Sequence, residues 1–343
     1  MEKLKVAIIG CGSIAQNRHL LEFEANQQID ITAVCDIVEE RAMVTGEAFG
    51  AQSYTSYEDL LEKEEIDAVS VCLPNYLHAP VSIAALNAGC HVLCEKPMAT
   101  SREEAENMIE AAERNGKKLM IAHNQRFVSS HERARNLIEA GEAGKIYSFR
   151  TTFGHGGPEG WSVDGDDSWF FKKDEAFIGA MGDLGVHKAD LLRHLLGEEF
   201  VEVAGFVENN AKDNVTVDDN AVCILRSESG IVGTLTASWA YNAKEDNSTV
   251  IYGEKATLRL EDDPDYSLIV QYTNGEVVKY ELGQIQSNDE GGQTNTGVID
   301  HFVDCIVHDK KPLIDGEEGK RSLEVILAAV ESGETKQITR LAK

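Results

Sequence analysis

Short apolar-rich runs alternate with helical patterns through the first third of the chain. Such runs, when bounded by turn signals, are typical of strands that are buried on both faces of a sheet. The predicted strands are 6–9, 29–35, 68–73, 91–94 and 119–122. The predicted helices are one through Leu20 and Leu21, then 39–49, 79–88 and 102–114. Strand–helix alternation at this spacing predicts a doubly wound parallel α/β sheet, with the carboxyl ends of its strands along one edge.

The pattern changes after about residue 124. A helix at 129–140 leads to a strand at 145–153, a long loop and a helix at 183–196. Several strand-like runs follow between 200 and 280, and the turn signals Ser229-Gly230 and Asn274-Gly275 separate some of them. Turns of this kind join antiparallel strands. We therefore predict an α+β domain with an open, mostly antiparallel sheet.

The chain ends with two further helical patterns, at 296–308 and 317–332, after a polar, Gly-rich segment at 287–296 that we predict to be a loop. No fixed-period repeat is evident. The length of 343 residues suits two domains. We place them at 1–123 and 124–343.

Charge excludes some classes of partner. Lys plus Arg is 32 and Asp plus Glu is 59, which gives a net charge of −27. Nucleic-acid binding needs a basic stripe, and we find none. The same acidity disfavours an anionic membrane surface, and no apolar run approaches the roughly 20 residues that cross a bilayer. The N-terminus lacks the pattern of a signal peptide, so we expect a cytoplasmic protein without a membrane partner.

The seven cysteines form an odd set without the spacing of a disulfide framework. We interpret them as reduced, mostly buried thiols. Cys90 and Cys94 flank His91, which raises the alternative of a metal site. Side chains along a strand alternate between faces, however, so this short run does not gather ligands. We predict no metal.

The first predicted strand ends in a G-x-G-x-x-A motif, Gly10-Cys11-Gly12-Ser13-Ile14-Ala15. Gly10 permits a tight turn, Gly12 lets backbone amides approach a pyrophosphate, and Ala15 lets the following helix pack closely on the strand. Amides at the start of a helix also favour phosphate. A purely structural turn is the alternative. The position after the first strand favours a dinucleotide site that includes Ser13 and Ile14.

Asp36 ends the second predicted strand, 21 residues after Ala15. A carboxylate at this position accepts hydrogen bonds from the ribose hydroxyls of NAD and repels the 2′-phosphate of NADP. The next residues add no positive charge until Arg41, one turn into the helix, which we include among the cofactor-binding residues. The sequence therefore favours NAD over NADP.

Three short segments carry further polar groups. Leu73-Pro74-Asn75-Tyr76-Leu77-His78 and Cys94-Glu95-Lys96-Pro97 follow two strands, and Gly182-Asp183-Leu184-Gly185-Val186-His187 opens a helix of the second domain. Together with the glycine motif, these segments resemble the Gfo/Idh/MocA oxidoreductases, through E-K-P at Glu95 to Pro97, D-x-x-x-H at Asp183 to His187, and L-P-N-x-L-H. The resemblance covers nearly the whole chain.

The resemblance implies an N-terminal Rossmann domain and a set of roles. Lys96 matches the lysine that reaches the reacting hydroxyl or carbonyl, in a motif whose Lys–Pro peptide is often cis. His187 matches the histidine that acts as general base for oxidation and as acid in reverse, and Asp183 matches its partner. Cofactor contacts are implied at Lys96 as well and at Leu73, Asn75, His78 and Glu95, and a pocket residue at Arg126.

The chemistry of alcohol oxidation agrees with these assignments. A proton must leave the hydroxyl, and histidine titrates near neutral pH. A lysine ammonium stabilises developing negative charge on the oxygen. Asp183 and His187 are four residues apart, so they share a helix face, where the carboxylate orients the imidazole. We expect the lysine and the imidazole to converge on one carbon beside the nicotinamide.

Other interpretations of these residues remain open. Lys96 could be a surface lysine beside a turn proline. Asp183, His187, Asp190 and His194 form a stripe that is typical of a solvated helix face, or of a metal site. His194 lies roughly 10 Å along the helix from His187, too far to share one substrate. We therefore predict structural roles for Asp190 and His194.

The long loop from 154 to 178 combines glycines and aspartates with aromatic residues and His155. A connection of this length is often functional. Aromatic faces pack against the C–H faces of sugars, so we predict substrate contacts at His155 and Trp161 and a polyhydroxylated ring, a sugar or an inositol, as substrate. The alternative is that these aromatic residues fill a core or a subunit interface.

The sequence thus predicts an NAD-dependent dehydrogenase of a sugar or inositol, without a metal. The open sheet needs cover, which predicts a homodimer or homotetramer. One alternative is an enzyme that retains NAD for transient oxidation during glycoside cleavage or epimerisation. Another is a cofactor-sensing regulator, against which the combination of Lys96, Asp183 and His187 argues.

Overall fold

A computed structural model describes residues 3–213, 215–283, 285 and 296–341. The described residues divide into two compact units. The first takes them from Met1–His123, Trp161–Trp169 and Gln286–Lys320, and the second from Asn124–Gly160, Phe170–Ile285 and Arg321–Lys343. Two segments that the sequence assigned to the second domain therefore belong to the first unit. Of the predicted loop at 287–296, residues 287–295 lie outside the described residues.

The first unit is built on a six-stranded parallel sheet. Its strands are β1 (Leu4–Ile9), β2 (Ile29–Cys35), β3 (Gln52–Tyr54), β4 (Ala68–Val71), β5 (His91–Cys94) and β6 (Leu119–Ile121), in the order β3-β2-β1-β4-β5-β6. The prediction of a doubly wound parallel sheet is confirmed. The strand β3 was absent from our predicted elements because its three residues are polar or aromatic and partly exposed, and so form no apolar run.

The second unit holds a nine-stranded sheet. Its strands are β7 (Ile146–Gly154), β8 (Phe200–Glu208), β9 (Asn220–Ser227), β10 (Val232–Ser238), β11 (Thr249–Gly253), β12 (Ala256–Leu260), β13 (Leu268–Tyr272), β14 (Val277–Tyr280) and β15 (Thr339–Arg340). Their order is β14-β13-β12-β11-β7-β10-β9-β8-β15, and only β7 and β10 pair in parallel among these strands. The prediction of a mostly antiparallel sheet is confirmed. Gly230 and Gly275 adopt φ of 93° and 92° in two of its hairpins.

Ten α-helices occur among the described residues. They are α1 (Leu20–Ala25), α2 (Glu39–Phe49), α3 (Tyr57–Lys63), α4 (Asn75–Asn87), α5 (Arg102–Asn115), α6 (Ser129–Glu139), α7 (Lys173–Ala176), α8 (Val186–Leu196), α9 (Val298–Val307) and α10 (Gly316–Thr335). Wider π-helical turns, Ala15–His19 and Met181–Gly185, precede α1 and α8. Single π-turns inside helices are frequent at functional sites. Within the described part of the chain, no helix combines the length and the hydropathy that a bilayer crossing requires.

Helix α9 shows why a late segment joins the first unit. Its apolar residues Val298, Ile299, Phe302 and Val303 are all buried, and the helix packs against α1. Just before it, the backbone amide of Thr296 donates to the Glu22 carboxylate of α1 over 2.9 Å. Burial of this apolar face stabilises the unit and attaches the late segment to α1.

Candidate active site

The turn after β1 has the geometry that its glycines predict. Gly10 adopts φ of +94°, and a Cβ built there would lie 2.1 Å from the carbonyl oxygen of Cys72. A Cβ built on Gly12, by contrast, meets no atom within 4 Å. The space in front of Gly12 is therefore open to a ligand, and the amides that open the next helix, at Ser13 and Ile14, suit a pyrophosphate. Ala15 is fully buried, as close helix packing requires.

Asp36 lies beside this turn at the end of β2. One carboxylate oxygen accepts from the backbone amide of Cys11 over 2.9 Å, and the other accepts from the amide of Val38 over 2.9 Å. Each carboxylate oxygen has a further lone pair for a ligand. The residues present therefore fit a dinucleotide, with Gly12 leaving space for the pyrophosphate and Asp36 supplying acceptors for ribose hydroxyls.

Arg41 and Ser13 both contact the segment Trp161–Trp169, which belongs to the same unit. The Ser13 hydroxyl donates to the carbonyl oxygen of Trp161 over 2.8 Å. The Arg41 guanidinium donates to Asp164 over 2.9 Å and lies 3.6 Å from Asp36. Trp161 therefore belongs to the unit that carries the glycine turn, and its predicted substrate contact stays a prediction.

The E-K-P turn after β5 is held by a buried ionic cluster. Glu95 accepts from Arg18 and contacts Nε2 of His19 at 2.8 Å, and its second oxygen accepts from the Lys96 backbone amide over 3.2 Å. The Lys96–Pro97 peptide is cis. Glu95 is buried and Lys96 is half-buried. Glu95 therefore fixes the backbone that carries Lys96, and its predicted contact with the cofactor stays a prediction.

Arg18 and His19, the buried partners of Glu95, are residues of this cluster that the sequence analysis missed. They form part of the π-helical turn Ala15–His19, and both are buried. Burial lowers the pKa of His19 well below its ordinary value, and the neighbouring Arg18 charge acts in the same direction. Two adjacent strongly polar residues directly before the apolar Leu20 were the available signal, because such residues are rarely buried without a partner.

His78 joins the two strand-end segments of the first unit. Its Nδ1 lies 2.7 Å from the carbonyl oxygen of Pro97, and its Nε2 lies 2.7 Å from that of Leu73. Burial lowers the pKa of this imidazole. Asn75, also buried, is the first residue of α4, which begins four residues earlier than predicted. Both ring nitrogens of His78 thus contact backbone carbonyls of the two segments, and the predicted cofactor contact of His78 stays a prediction.

Asp183 and His187 belong to the second unit, on the π-helical turn and on α8. The turn is held by Asp218, whose carboxylate accepts from the amides of Gly179 and Met181 over 2.7 Å each. Trp239 donates from its indole nitrogen to the Asp183 carboxylate over 3.1 Å. The sequence analysis missed both Asp218 and Trp239, because they lie just before β9 and just after β10, tens of residues further along the chain.

His187 is 8% exposed and Asp183 is 6% exposed, so the interpretation of their stripe as a solvated helix face is wrong. The His187 ring packs on Phe153 with centroids 5.8 Å apart. A buried imidazole one turn after a fixed carboxylate is suited to accept and return a proton.

The rest of the stripe, Asp190 and His194, contacts other side chains of the second unit. Asp190 is fully buried and accepts two hydrogen bonds from Arg126, over 2.8 and 2.7 Å, and one from Ser322 over 2.9 Å. Such a bidentate pair neutralises both buried charges. Burial lowers the pKa of His194 to about 4. Arg126 therefore has a structural partner in Asp190, and its predicted substrate contact stays a prediction.

His155 follows β7 in the second unit, whereas Trp161 belongs to the first. The Nδ1 atom of His155 accepts from the amide of Gly157 over 2.9 Å, and the ring packs edge-on against Phe153 with centroids 6.0 Å apart. The long loop is therefore divided between the two units. Its two predicted substrate contacts have different local surroundings, and the structure leaves both roles as predictions.

All seven cysteines are free and buried. Burial raises the thiol pKa of Cys11, Cys35, Cys72, Cys94 and Cys223 to about 12 in each case. Thiols of this kind are inert at neutral pH. In the ranges that the structure describes, no group of three or more His, Cys, Asp or Glu side chains is arranged to hold a metal ion.

A parallel sheet with an open glycine turn after its first strand and a carboxylate at the end of its second strand is typical of a dinucleotide-binding protein. Residues 4–123 match the model of the oxidoreductase family with an NAD-binding Rossmann fold, and residues 131–259 match the GFO/IDH/MocA C-terminal domain. The chain belongs to the GFO/IDH/MocA family of oxidoreductases, and its first unit binds NAD.

Three relatives illustrate the similarity. The levoglucosan dehydrogenase of Pseudarthrobacter phenanthrenivorans is 30% identical over 69% of this chain and 68% of its own length. The D-glucoside 3-dehydrogenase of Escherichia coli is 27% identical over 97% of this chain and 96% of its own. A solved structure of a levoglucosan dehydrogenase in complex with NADH is 26% identical, covers 100% of both chains and has a TM-score of 0.86.

Proposed function

We propose that the protein is an NAD-dependent dehydrogenase that interconverts a ring hydroxyl of a sugar or inositol and the corresponding ketone. The observation that carries this proposal is the buried His187, one turn after an Asp183 carboxylate that Trp239 holds in place. Such a pair can accept the proton that the substrate hydroxyl loses during alcohol oxidation. The relatives named above support the substrate class, because their names specify sugars and glycosides.

Bound NAD supplies the hydride acceptor for the oxidation. We assign to His187 the removal of the proton from the substrate hydroxyl, and to Asp183 the support of the imidazolium that forms. From the resemblance of the E-K-P turn, we assign to the Lys96 ammonium the stabilisation of negative charge on a reacting oxygen. The same groups act in the opposite sense during reduction, when His187 returns the proton.

A panel of sugars and inositols, each with NAD or NADP, tests the proposal. We expect NADH absorbance to rise with at least one cyclic polyol or sugar when NAD is supplied. Absence of turnover across the panel with either cofactor contradicts the proposal. Tightly retained NAD without net NADH formation, together with substrate cleavage or epimerisation, would replace it with the alternative that uses transient oxidation.

Asp36→Ala is expected to reduce the preference for NADH over NADPH. The carboxylate accepts ribose hydroxyls and repels a 2′-phosphate, so its loss should change the ratio of the two dissociation constants about tenfold or more. Titration of the purified variant with each reduced cofactor measures this ratio. Glu39→Ala is the matched control, because it removes an exposed carboxylate of the first turn of α2. An unchanged ratio in Asp36→Ala would mean that Asp36 does not face the ribose.

The proposal extends to a homodimer or homotetramer in the cytoplasm. The face of the second sheet carries the paired residues Phe206 and Val222, which are 67% and 47% exposed, and the nearby Ile224, which is 53% exposed. Adjacent apolar side chains of this kind on a sheet face are typical of an interface. The seven free thiols favour a reducing compartment. Light scattering that gives the monomer mass of 37.6 kDa would contradict the oligomer.

A further inference from the structure

The segment Trp161–Trp169 is attached to the nucleotide-binding part of the first unit at two points. The Ser13 hydroxyl of the glycine turn donates to the Trp161 carbonyl oxygen over 2.8 Å. Arg41 of α2 donates to the Asp164 carboxylate over 2.9 Å. A segment more than a hundred residues away in the chain therefore contacts both the turn suited to the pyrophosphate and the helix that follows the ribose-binding carboxylate.

Asp164 is held in place within its segment. Its backbone carbonyl oxygen accepts from the amide of Asp167 over 3.1 Å, in a single 3-10 turn. The hydroxyls of Ser162 and Ser168 lie 2.9 Å apart, and Ser168 is fully buried. The carboxylate is thus presented to Arg41 by a folded turn with a buried anchor, which reduces the conformational entropy that the ion pair must overcome.

Arg41 lies between two carboxylates, at 2.9 Å from Asp164 and 3.6 Å from Asp36. The other charged residues at the start of α2, Glu39 and Glu40, are acidic. An arginine at the ribose end of a dinucleotide site accommodates the 2′-phosphate of NADP when its guanidinium is available. Here Asp164 binds that guanidinium. Arg41, Asp164 and Asp36 together carry a net charge of −1.

We propose that Asp164 is a specificity-determining residue for the cofactor, which acts as a positioning residue on Arg41. Asp36 alone repels a 2′-phosphate, but an adjacent free arginine would offset that repulsion. Asp164 removes this compensation by engaging Arg41, so the site keeps its preference for the cofactor that lacks the phosphate. This inference rests on the proposed NAD-dependent function and extends it to a residue outside the βαβ motif.

The test measures the binding of NADH and NADPH to purified Asp164→Asn by nicotinamide fluorescence. The Asp164 side chain is 40% exposed and asparagine keeps its shape, so the variant should fold. We expect NADPH to bind about tenfold more tightly than to the wild type, because a charge-assisted contact to the phosphate becomes available. NADH binding should change less than about threefold. Asp166→Asn is the matched control, because it removes an exposed carboxylate of the same segment that is not bonded to Arg41.

The same pair of titrations with Arg41→Ala and with Arg41→Ala/Asp164→Asn tests whether Asp164 acts through Arg41. We expect Asp164→Asn to have no further effect on the NADPH-to-NADH ratio once the guanidinium is gone. A ratio that still changes in the double variant overturns the inference, and so does an equal effect of Asp166→Asn. Wild-type protein that binds neither cofactor would contradict the proposed function itself. Normal NADH binding with an unresponsive Asp164→Asn would contradict only this inference.

Discussion

Lys96→Ala is expected to lower kcat by about 10³-fold, while the dissociation constant for NADH changes little. The reason is chemical. Removal of a hydroxyl proton leaves negative charge on the substrate oxygen, and the proposed partner of that charge is the Lys96 ammonium. We expect binding of the cofactor to depend on other groups, chiefly the glycine turn and Asp36. Steady-state kinetics combined with NADH titration separates the two effects.

The Lys96 variant should retain its fold because the backbone at this turn is held by a neighbouring side chain. Glu95, fixed by Arg18 and His19, accepts from the Lys96 amide, and truncation beyond Cβ leaves this contact unchanged. Lys96→Met, which keeps the length of the side chain without its charge, should lose as much activity as the alanine variant. Lys117→Ala, at a half-buried lysine of the same unit, provides the control. Unchanged turnover in both Lys96 variants would refute the assignment.

His187→Gln is expected to lower kcat by about 10²-fold to 10³-fold and to change the pH profile. A general base must be neutral to accept a proton. Wild-type oxidation should therefore slow at low pH, where the base is protonated, and reduction should slow at high pH, where the acid has lost its proton. Glutamine does not titrate, so the variant should lose this dependence in both directions. Rate measurements in each direction between about pH 5 and pH 9 test the prediction.

The control for His187 lies on the same helix. His194→Gln changes an imidazole two turns further along α8, at a position that contacts Arg135. We expect its pH profile to match that of the wild type, because His194 has no place in the proposed proton transfer. If His187→Gln keeps the acidic limb of the wild-type profile, the base is another residue.

The nucleotide half of the site could be predicted from the sequence because its determinants are local. The strand, the glycine turn, the first helix and the strand that ends at Asp36 lie within about 35 consecutive residues, and each small residue has a steric reason. Gly10 illustrates this, since its positive φ and its contact with the Cys72 carbonyl exclude a side chain. The alternation of strands and helices predicted the fold of this unit for the same reason.

The surroundings of Asp183 and His187 could not be predicted, because they depend on contacts between distant parts of the chain. Trp239 and Asp183 are 56 residues apart, and Asp190 and Arg126 are 64 residues apart. A periodic pattern treats a charged residue on a helix as exposed, whereas α8 buries Asp190 by pairing it with an arginine. The pattern identifies which residues share a helix face. Whether that face is exposed or buried depends on the residues that pack against it in the tertiary structure.

In the E-K-P turn, the residues that hold the fold differ from the residue with the proposed chemistry. Glu95, Arg18 and His19 form the ionic cluster that holds the backbone, and Lys96 is the proposed catalytic residue. Glu95 is anchored by buried partners, whereas the adjacent Lys96 side chain is half-buried. A duplicated gene could therefore exchange Lys96 and still encode a chain that folds around the same dinucleotide. With Lys96 in its proposed role, such a descendant would bind the cofactor without turning over a sugar. The architecture thus provides a short evolutionary route from an enzyme to a reporter of the cellular redox state.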